Sequence, residues 1–499
     1  MGIGRLLGVG PNKGAQRVST KTLMHPDDSV GMARPTSVDI LVSMKRVRLL
    51  YGKDGMDLRV PDDATVLEGK DVAAIPNPQE AVMAALARPI GSPSLKDLVA
   101  AKRPLTVAIT ISDITRPVPN KQFLPPMLKA LNQAGVKDGQ VVIIIGTGMH
   151  RPSTPEERDI LLGEDILSRV EVIDHQAADV TTLVEVSRDP PVSVCRRFAG
   201  ADFRIVTGYI EPHFMAGFSG GRKGVCPALV DLKTVQRFHG YETLNHPKAD
   251  NGVLDGNPCH EISLKVAKGV GVDFLFNVAI ARDRRIAGIY CGDLVEAHLA
   301  GCKQVAGWVT AEIDGPFDLV ITNGGGFPLD QTFYQTVKGM CTALPALAAH
   351  STLLIVSHCG EQLGSKCYTE LMLKWDNDWR AFLAHIAAHK DRTELDQWEF
   401  QMQAKVLARI GQERLWFVSD GVPAEMQRHI AVTPILGGST GLATGGSTGL
   451  PTSDAPVRAQ RAIDDFVAGN PSARIAVIPD GPYTMLTVGR KPQVPGRRP

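Results

Sequence analysis

The stretch from residue 208 to 239 concentrates side chains that can handle protons, anions and metal ions. It contains His213, a glycine-rich turn, the amine of Lys223 and, at the end of a helix-like run, His239. Imidazoles exchange protons near neutral pH and bind metals, and an ammonium group attracts anions. We therefore take this stretch as the first candidate for a functional site.

The glycine-rich turn has the composition of an anion-binding loop. Gly217, Gly220 and Gly221 let the backbone turn tightly and aim N–H groups at an anion, and Lys223 adds a positive charge. The same glycines could also serve a tight turn that binds nothing, so both interpretations stay open on this composition alone.

Three common site motifs are missing from the chain. The turn GFSGGRKG lacks the GK[ST] of a nucleotide P-loop. A basic pair follows Ser219 where the helix of a nucleophile elbow would begin. No GxGxxG follows a predicted strand, so ordinary NAD binding is unsupported.

Other polar clusters also follow predicted strands. These residues are Asp113, Arg116, His150, Arg151, His213, Lys223, Gln331, Tyr334, Gln335 and Lys338. Because ligands bind at the carboxyl ends of parallel strands, we expect these loops to meet at one crevice. Arg116 suits a carboxylate, Lys338 offers a second cation, and two histidines can move a proton.

Each of these residues has an ordinary alternative. A histidine after a strand is commonly a solvated loop residue, Arg116 could cap a helix, and Lys338 could lie on a solvated helix face. Trp398 could simply pack on a helix surface. A functional site is therefore predicted from the whole set of residues, and no single residue of the set predicts it alone.

The elements that must position these residues alternate between strands and helices. Strands are predicted over 44–52, 105–111, 141–145, 170–173, 204–207, 319–322, 353–357, 415–419 and 475–478. Helices are predicted over 124–134 and over Pro155–Leu162, where Thr154 and Glu157 form a capping box. Apolar strands that alternate with helices predict an α/β fold with mainly parallel sheets flanked by helices.

The domain organisation is predicted from breaks in this pattern. We expect an N-terminal α/β cofactor-binding domain over 44–311 and a C-terminal α/β domain over 312–485, with the active site in the cleft between them. Residues 1–43 are predicted to be a disordered extension or to precede the natural start, and residues 486–499 a tail. The repeat GGSTGLAT–GGSTGLPT within 437–452 predicts a flexible loop or an anion-binding nest, and the loop is favoured.

The composition excludes several classes of protein. The 499 residues are 43% hydrophobic and 21% charged, which is typical of a soluble globular protein. A formal net charge of +1 gives no case for nucleic acid or an anionic membrane, and no apolar run is long enough to cross a bilayer. Eight scattered cysteines without a CxxC pair predict reduced thiols in a cytoplasm.

Together these clusters resemble the nickel-pincer lactate racemase family over roughly residues 44–482. The motifs that carry the resemblance are SDITRP (112–117), TGMHR (147–151), PHFMAGFSGGRK (212–223), FHG (238–240), YQTVK (334–338) and Trp398. Their order and spacing fit the family. The resemblance implies a 2-hydroxy acid racemase or epimerase that depends on proteins making its cofactor.

The resemblance implies that the cofactor is a nickel-pincer nucleotide, pyridinium-3-thioamide-5-thiocarboxylic acid mononucleotide. In the family this group can be tethered to a lysine, which falls on Lys223, and nickel takes one histidine ligand, which falls on His239. One imidazole beside soft sulfur and carbon donors is a reasonable square-planar set. Residues implied to contact the cofactor are Lys223, Asp113, Ser219, Gly220, Gly221, Arg222, Tyr334, Gln335 and Trp398.

The implied reaction is reversible hydride transfer through a 2-keto acid. His150 and His213 would take the hydroxyl proton of one or the other enantiomer, and Arg116 and Lys338 would hold the substrate oxygens. A sugar acid such as gluconate is slightly favoured over a lactate-like acid, because loops such as SHCGE (357–361) are polar. Two other hypotheses remain, namely a non-catalytic phosphate- or nucleotide-binding protein and a metal-dependent hydrolase that uses three histidines.

Overall fold

The computed structural model describes residues 43–437 and 454–489. The extension predicted over 1–43 lies outside the described residues, apart from Ser43. The repeat predicted as a loop over 437–452 also lies outside them, apart from Gly437, as do residues 490–499 of the predicted tail.

The first half of the described chain forms a mainly parallel sheet. Among the described residues this sheet has six strands, in the spatial order Ile286–Gly292, Phe274–Ile280, Phe203–Tyr209, Val107–Ser112, Val141–Gly146 and Glu171–Asp174. Neighbouring strands run parallel, except that Ile286–Gly292 is antiparallel to Phe274–Ile280. The central strands read VAITIS and VVIIIG because both of their faces are covered.

The second half, together with Thr65–Val66 of the first half, forms another parallel sheet. Within the described ranges its six strands lie in the order Thr433–Pro434, Leu415–Val418, Leu347–Val356, Phe317–Asn323, Ile475–Val477 and Thr65–Val66. Every pair of neighbours in this sheet is parallel. Its carboxyl ends therefore also form one edge at which loops can meet.

Short strand pairs complete the β-structure. They are Met44–Leu49 with Met56–Pro61, Leu183–Arg188 with Pro191–Cys195, Pro212–His213 with Gly217–Phe218, and Thr310–Ile313 with Met485–Val488. The pair that begins at Pro212 follows strand Phe203–Tyr209 directly and folds the glycine-rich turn back on itself.

Helices cover the faces of both sheets. The α-helices of the first half are Pro78–Ala87, Leu95–Lys102, Asn120–Gln133, Pro155–Leu162, Glu164–Leu167, Arg196–Ala199, Leu232–Phe238, Tyr241–Asn245, Pro258–Val270 and Glu296–Val309. Those of the second half are Phe333–Thr342, Lys366–Trp375, Trp379–Ala388, Gln397–Ile410, Ala424–Gln427 and Ala455–Gly469. Single 3₁₀ turns occur at Asp138–Gln140, Val180–Thr182, Gly221–Gly224, Leu329–Gln331, Leu344–Ala346, Gln412–Arg414 and Gly481–Tyr483. None of the described helices combines the length and the apolar character that crossing a bilayer requires.

Buried apolar side chains cover both faces of each sheet. One cluster continues from the first sheet into the second and includes Val206 and Val337. Another lies under helix Asn120–Gln133 on the opposite face of the first sheet, and a third lies under helix Ala455–Gly469 on the second. This continuity fixes the strand ends of the two halves relative to each other.

The predicted fold class, α/β with mainly parallel sheets flanked by helices, is confirmed. Helix Pro155–Leu162 has the predicted bounds, and the Thr154 hydroxyl accepts a hydrogen bond from Glu157 N at 3.2 Å. The strand predicted from residue 105 begins only at Val107, because Leu105 is 77% exposed. The strands Leu183–Arg188, Pro191–Cys195, Phe274–Ile280 and Ile286–Gly292 were not predicted.

The predicted domain boundaries fall inside a pair of strands. Thr310–Ile313 spans the division at 311/312, and it pairs with Met485–Val488, which spans the start of the predicted tail. The division into 44–311 and 312–485 therefore stays a prediction, and residues 486–488 belong to a strand.

Candidate active site

A cavity of about 170 Å³ lies at the carboxyl ends of the strands Val107–Ser112, Val141–Gly146 and Phe203–Tyr209. Helices Phe333–Thr342 and Gln397–Ile410 of the second half supply its other wall. The predicted site residues that line it are Asp113, Arg116, His150, His213, Ser219, Gly220, Lys223, His239, Tyr334, Gln335, Lys338 and Trp398. The loops predicted to converge therefore do meet, and residues of both halves line the same cavity.

Helix Phe333–Thr342 brings three of these side chains into the cavity. The Thr332 hydroxyl caps its first turn by accepting from Gln335 N, and Tyr334 and Lys338 lie one turn apart on one face. A Cβ atom on Gly339 would lie 2.1 Å from the carbonyl oxygen of Asn323, so glycine lets this helix approach the strand end closely.

The glycine-rich turn is held by hydrogen bonds within the protein. The Ser219 hydroxyl donates to the Tyr209 carbonyl at 2.8 Å, and the Ser219 amide donates to Glu211 O at 2.9 Å. The Gly221 amide donates to Asn277 Oδ1 at 2.7 Å. The amides of residues 219 and 221 are therefore engaged by the protein and do not offer themselves to an anion.

Gly221 and Arg222 do not line the cavity, which corrects the prediction that they contact a ligand there. Arg222 is 1% exposed, and its guanidinium donates to the Ala216 carbonyl at 2.8 Å and lies 3.1 Å from His298 Nε2. Adjacent residues of a tight turn point in different directions, so Lys223 enters the cavity while Arg222 supports the turn from behind.

Lys223 and His213 form a buried pair inside the cavity. Lys223 Nζ lies 2.9 Å from His213 Nε2. Burial, followed by the charges of Arg116 and Arg222, holds the pKa of Lys223 well below its usual range. Burial, followed by the charges of Lys223 and Lys338, holds the pKa of His213 well below its usual range. Both shifts favour the uncharged forms, and an uncharged Lys223 presents an amine lone pair.

His150 and Asp113 form a second pair across two strand ends. Nδ1 of His150 lies 2.6 Å from Asp113 Oδ2. Burial raises the pKa of Asp113, but the charge and hydrogen bond of His150 outweigh this and lower it to about 2. Asp113 is therefore an ionised carboxylate that is hydrogen-bonded to the imidazole of His150. The sequence analysis assigned Asp113 to the cofactor and did not predict this pair.

His239 ends helix Leu232–Phe238 with its ring facing the cavity. Its Nδ1–H donates to the Val235 carbonyl at 2.9 Å, which leaves the Nε2 lone pair available as a metal ligand. The ring stacks on Trp398 with centroids 4.5 Å apart, and Trp398 Nε1 donates to the Tyr334 hydroxyl at 2.5 Å. Burial, followed by the charge of Lys223, lowers the pKa of His239 to about 3, so the imidazole is neutral.

Two acids in or next to the cavity were not predicted. Glu399 lines the cavity beside Trp398 and is 3% exposed. Glu211 lies outside the lining, with Oε1 3.6 Å from Nε of Arg116, which does line the cavity. Burial raises the pKa of Glu399 to about 8, and burial with the charge of Arg116 lowers that of Lys338 to about 7. Glu399 in DQWEF and Glu211 in IEPHF each have apolar neighbours in the sequence, and this pattern could have indicated that the two acids are buried.

The hydrogen-bonding groups of this cavity are incomplete without a ligand. The buried atoms Gln335 Oε1 and Glu399 Oε2 have no hydrogen-bond partner among the described residues. The Lys338 amine lines the same cavity, so the cavity combines a donor with unpaired acceptors. A small ligand that carries both a carboxylate and a hydroxyl group complements such a set.

A cluster of protein metal ligands is not part of this site. In the described ranges, no three His, Cys, Asp or Glu side chains are grouped to hold a metal ion. His150, His213 and His239 line the same cavity but are engaged by different partners, namely Asp113, Lys223 and Val235. All eight cysteines lie in the described ranges and are free, and seven of them are buried.

The sequence matches two family descriptions in chain order. Residues 51–252 match the lactate racemase N-terminal domain, and residues 313–438 match the lactate racemase C-terminal domain. Lactate racemase of Thermoanaerobacterium thermosaccharolyticum is 31% identical over 398 residues, which cover 78% of this chain and 92% of that protein. Lactate racemase of Lactiplantibacillus plantarum is 35% identical over 352 residues, which cover 70% and 81%.

Two solved structures resemble this one. The lactate racemase apoprotein from T. thermosaccharolyticum has a TM-score of 0.76 at 28% identity, and the match covers 89% of this chain and 100% of that chain. A protein from Thermotoga maritima has a TM-score of 0.62 at 16% identity, with 85% and 100% coverage. The second likeness concerns the fold alone.

Proposed function

This chain belongs to the lactate racemase family, and from this premise we propose that it is an isomerase that inverts C2 of a 2-hydroxy acid. The observation that carries the proposal is the content of one cavity. The imidazole of His239 stacks on Trp398 there, and the amines of Lys223 and Lys338 line the same cavity, with the pKa of Lys223 held well below its usual range.

The residues present fit the nickel-pincer nucleotide. His239 offers its Nε2 lone pair as the single imidazole ligand, since its Nδ1 proton is fixed by the Val235 carbonyl. Tyr334, Gln335 and Trp398 would line the cofactor, with Ser219 and Gly220 at its edge. When bound, this group supplies an acceptor and donor of hydride at C2 of the substrate.

Lys223 is proposed as the point of covalent attachment. Its amine is buried in the cavity, and an unprotonated amine is the form that reacts with an acyl-type carbon. His213 at 2.9 Å and the ring of Phe238, 5.6 Å from Nζ, hold this amine in place.

Lys223→Ala is expected to abolish a covalent adduct seen in the intact mass of loaded protein. Lys233→Ala, on the exposed face of helix Leu232–Phe238, is the control and should keep the adduct. An unmodified mass for the active parent protein would show that attachment is not covalent.

The substrate is proposed to be held by its carboxylate. The side chains of Arg116 and Lys338 both line the cavity and can carry positive charge. Gln335 and Glu399 then offer acceptors to a hydroxyl group. A 2-hydroxy acid carries both groups on adjacent carbons.

His150 and His213 are proposed to handle the hydroxyl proton, one for each enantiomer. Both line the cavity, and they are held by different strand-end loops. Removal of the proton leaves electron density on the oxygen, which becomes the carbonyl of a 2-keto acid as C2 loses hydride. Return of hydride to the other face inverts C2.

A lactate-like acid is the proposed substrate class. Both curated relatives are named lactate racemase. The earlier preference for a sugar acid such as gluconate has no support from these comparisons. The phosphate-binding alternative loses its main argument, because the turn's amides at residues 219 and 221 are engaged.

The test is activity of protein produced together with the proteins that make the pincer cofactor. We expect bound nickel, visible absorption, and interconversion of the two lactate enantiomers, with larger 2-hydroxy acids turned over more slowly. His150→Ala should keep nickel but lose interconversion. Nickel-loaded parent protein that inverts C2 of no acid in a broad panel would refute the proposed function.

A further inference from the structure

The two histidines that face the substrate differ in what holds their Nδ1 atoms. Nδ1 of His150 meets a carboxylate, Asp113 Oδ2, at 2.6 Å. Nδ1 of His213 meets the backbone amides of Met215 and Ala216 at 3.2 and 3.3 Å. The hydrogen bond at Nδ1 decides which nitrogen of a neutral imidazole carries the proton.

His150 is therefore protonated on Nδ1. An ionised carboxylate can only accept a hydrogen bond, so the ring donates Nδ1–H to Asp113, and the neutral form of the ring has its lone pair on Nε2. His150 lines the cavity and is the more exposed of the two histidines, with 39% of its side chain accessible. Its lone pair is thus available to a substrate hydroxyl.

His213 has the opposite arrangement. Amide N–H groups can only donate, so Nδ1 accepts and the proton of the neutral ring lies on Nε2, where it donates to the Lys223 amine. The two imidazoles are thus different tautomers in the protein without cofactor. His150 offers a lone pair, and His213 offers an N–H group.

Both oxygens of Asp113 are committed to the protein. Oδ2 accepts from His150, and Oδ1 accepts from the Thr115 hydroxyl at 2.5 Å and from the Thr115 amide at 3.2 Å. Asp113 is 8% exposed, and Thr115 follows it by two residues, so a local turn fixes the carboxylate. The fixed carboxylate is therefore placed to orient the His150 ring.

We propose that Asp113 is a positioning residue for His150 and not a cofactor ligand, and that it makes His150 the proton acceptor of the free enzyme. The proposal rests on the racemase function and deepens it. In the step concerned, the substrate O–H bond breaks, an N–H bond forms at His150 Nε2, and the electron pair stays on the substrate oxygen. Asp113 remains ionised and stabilises the imidazolium.

Asp113→Asn is the direct test on loaded enzyme. In the parent, one oxygen of Asp113 accepts from Thr115 and the other accepts from His150. Asparagine has only one acceptor oxygen, so its NH₂ group must face one of these two donors and cannot bond to it. We expect kcat to fall by about 10²- to 10⁴-fold with KM changed less than about threefold and nickel content unchanged. Loss of nickel or cofactor, or an unchanged kcat, would overturn the proposal.

The chain offers a matched control for this substitution. His429 Nδ1 lies 2.6 Å from Asp376 Oδ1, the same pairing at the same distance, on an exposed part of the molecule. Asp376→Asn should therefore leave kcat, KM and nickel content as in the parent. A kcat loss equal to that of Asp113→Asn would show a generic effect and contradict the positioning role.

A measurement on the unloaded protein separates this inference from the proposed function. Nitrogen-15 NMR of labelled histidines should show the Nδ1–H form for His150 in the parent and its loss in Asp113→Asn, with His213 in the Nε2–H form in both. An Nε2–H form of His150 in the parent would overturn the inference. If loaded parent inverts no 2-hydroxy acid, the proposed function fails, and this spectrum alone decides the role of Asp113.

Discussion

Burial decides which side chains of the cavity are charged. Burial and nearby cations lower the pKa values of Lys223, His213 and His239, which favours their uncharged forms. Asp113 keeps its charge because the charge and hydrogen bond of His150 outweigh burial. The cavity thus contains one activated amine, a free imidazole lone pair for a metal and an orienting carboxylate within a small volume.

His239→Ala is expected to abolish nickel binding while the fold is kept. The substitution removes the only lone pair that the FHG motif offers to the metal, and Trp398 loses its stacking partner. Elemental analysis of protein produced with the cofactor pathway measures the loss.

His389→Ala is the control for this prediction. Nδ1 of His389 also bonds the carbonyl four residues earlier, His385 O at 2.8 Å, but His389 is exposed and lies outside the cavity. Its substitution should leave nickel content unchanged. Nickel retained in His239→Ala at parent level would contradict the assignment of the ligand.

Glu399→Gln is expected to move the pH dependence of substrate affinity. The Lys338 ammonium is the form that binds a carboxylate, so KM should rise as pH increases through its lowered pKa of about 7. Glu399 raises the pKa of Lys338 when its carboxyl group is ionised, and glutamine cannot ionise. The rise in KM should therefore begin at lower pH in the variant.

KM measured between about pH 5.5 and 9 tests this shift. Glu413→Gln is the control, because the Glu413 side chain is exposed and pairs with Arg414 outside the cavity. A profile in Glu399→Gln that coincides with the parent's would show that Glu399 does not act on Lys338.

At the scale of elements, the strand-end turn depends on a strand that sequence analysis did not identify. Asn277 lies on strand Phe274–Ile280 and is fully buried, and its Oδ1 accepts a hydrogen bond from the Gly221 amide at 2.7 Å. Gly221 has φ +54°, and a Cβ atom there would lie 2.6 Å from the His298 ring. The turn is therefore fixed by the sheet behind it as well as by its own glycines.

Gly221→Ala is expected to reduce the free energy of unfolding by roughly 1–3 kcal/mol, because alanine is strained at this φ and meets His298. Cofactor loading should fall as Lys223 shifts. Gly269→Ala is the control, since Gly269 lies in helix Pro258–Val270 with open space around it, and helix propensity favours alanine. Denaturant unfolding of both variants measures the difference, and equal stabilities would contradict the argument.

Elements with strong local signals could be predicted from the sequence. Continuous apolar runs such as 141–145 and the capping box at Thr154 correspond to a strand and a helix near the predicted bounds. Strands Leu183–Arg188 and Pro191–Cys195 form a partly buried hairpin with weak alternation, and FLFNVAI (274–280) is a short apolar run, which periodicity alone does not distinguish from a buried helix segment. Their absence from the prediction has this physical cause.

The site was predicted where residue type and strand-end position agree. His150, His213 and Lys338 follow strands and do line the cavity. Arg222 was assigned to the cofactor as part of the motif PHFMAGFSGGRK. A motif does not show which way a side chain of a turn points, and the Arg222 guanidinium bonds to the Ala216 carbonyl instead. Glu399 was missed because its burial arises only when two helices of the second half pack together.

At the scale of the whole molecule, the cavity joins the two halves of the described chain. The first half supplies the histidines and Lys223, while helices Phe333–Thr342 and Gln397–Ile410 supply Lys338 and Trp398. Neither half holds a complete set of ligands for the cofactor and the substrate. Loading should therefore stabilise elements of both halves in one step.

Hydrogen exchange tests this expectation. On cofactor loading, we expect amides of residues 208–239, helix Phe333–Thr342 and helix Gln397–Ile410 to gain protection together, because a ligand that contacts all three suppresses their local opening. Helix Pro78–Ala87 contributes no residue to the cavity and serves as an internal control. Protection confined to residues 208–239 would mean that the second half does not contact the cofactor, and Tyr334, Gln335 and Trp398 would then be removed from the proposed site.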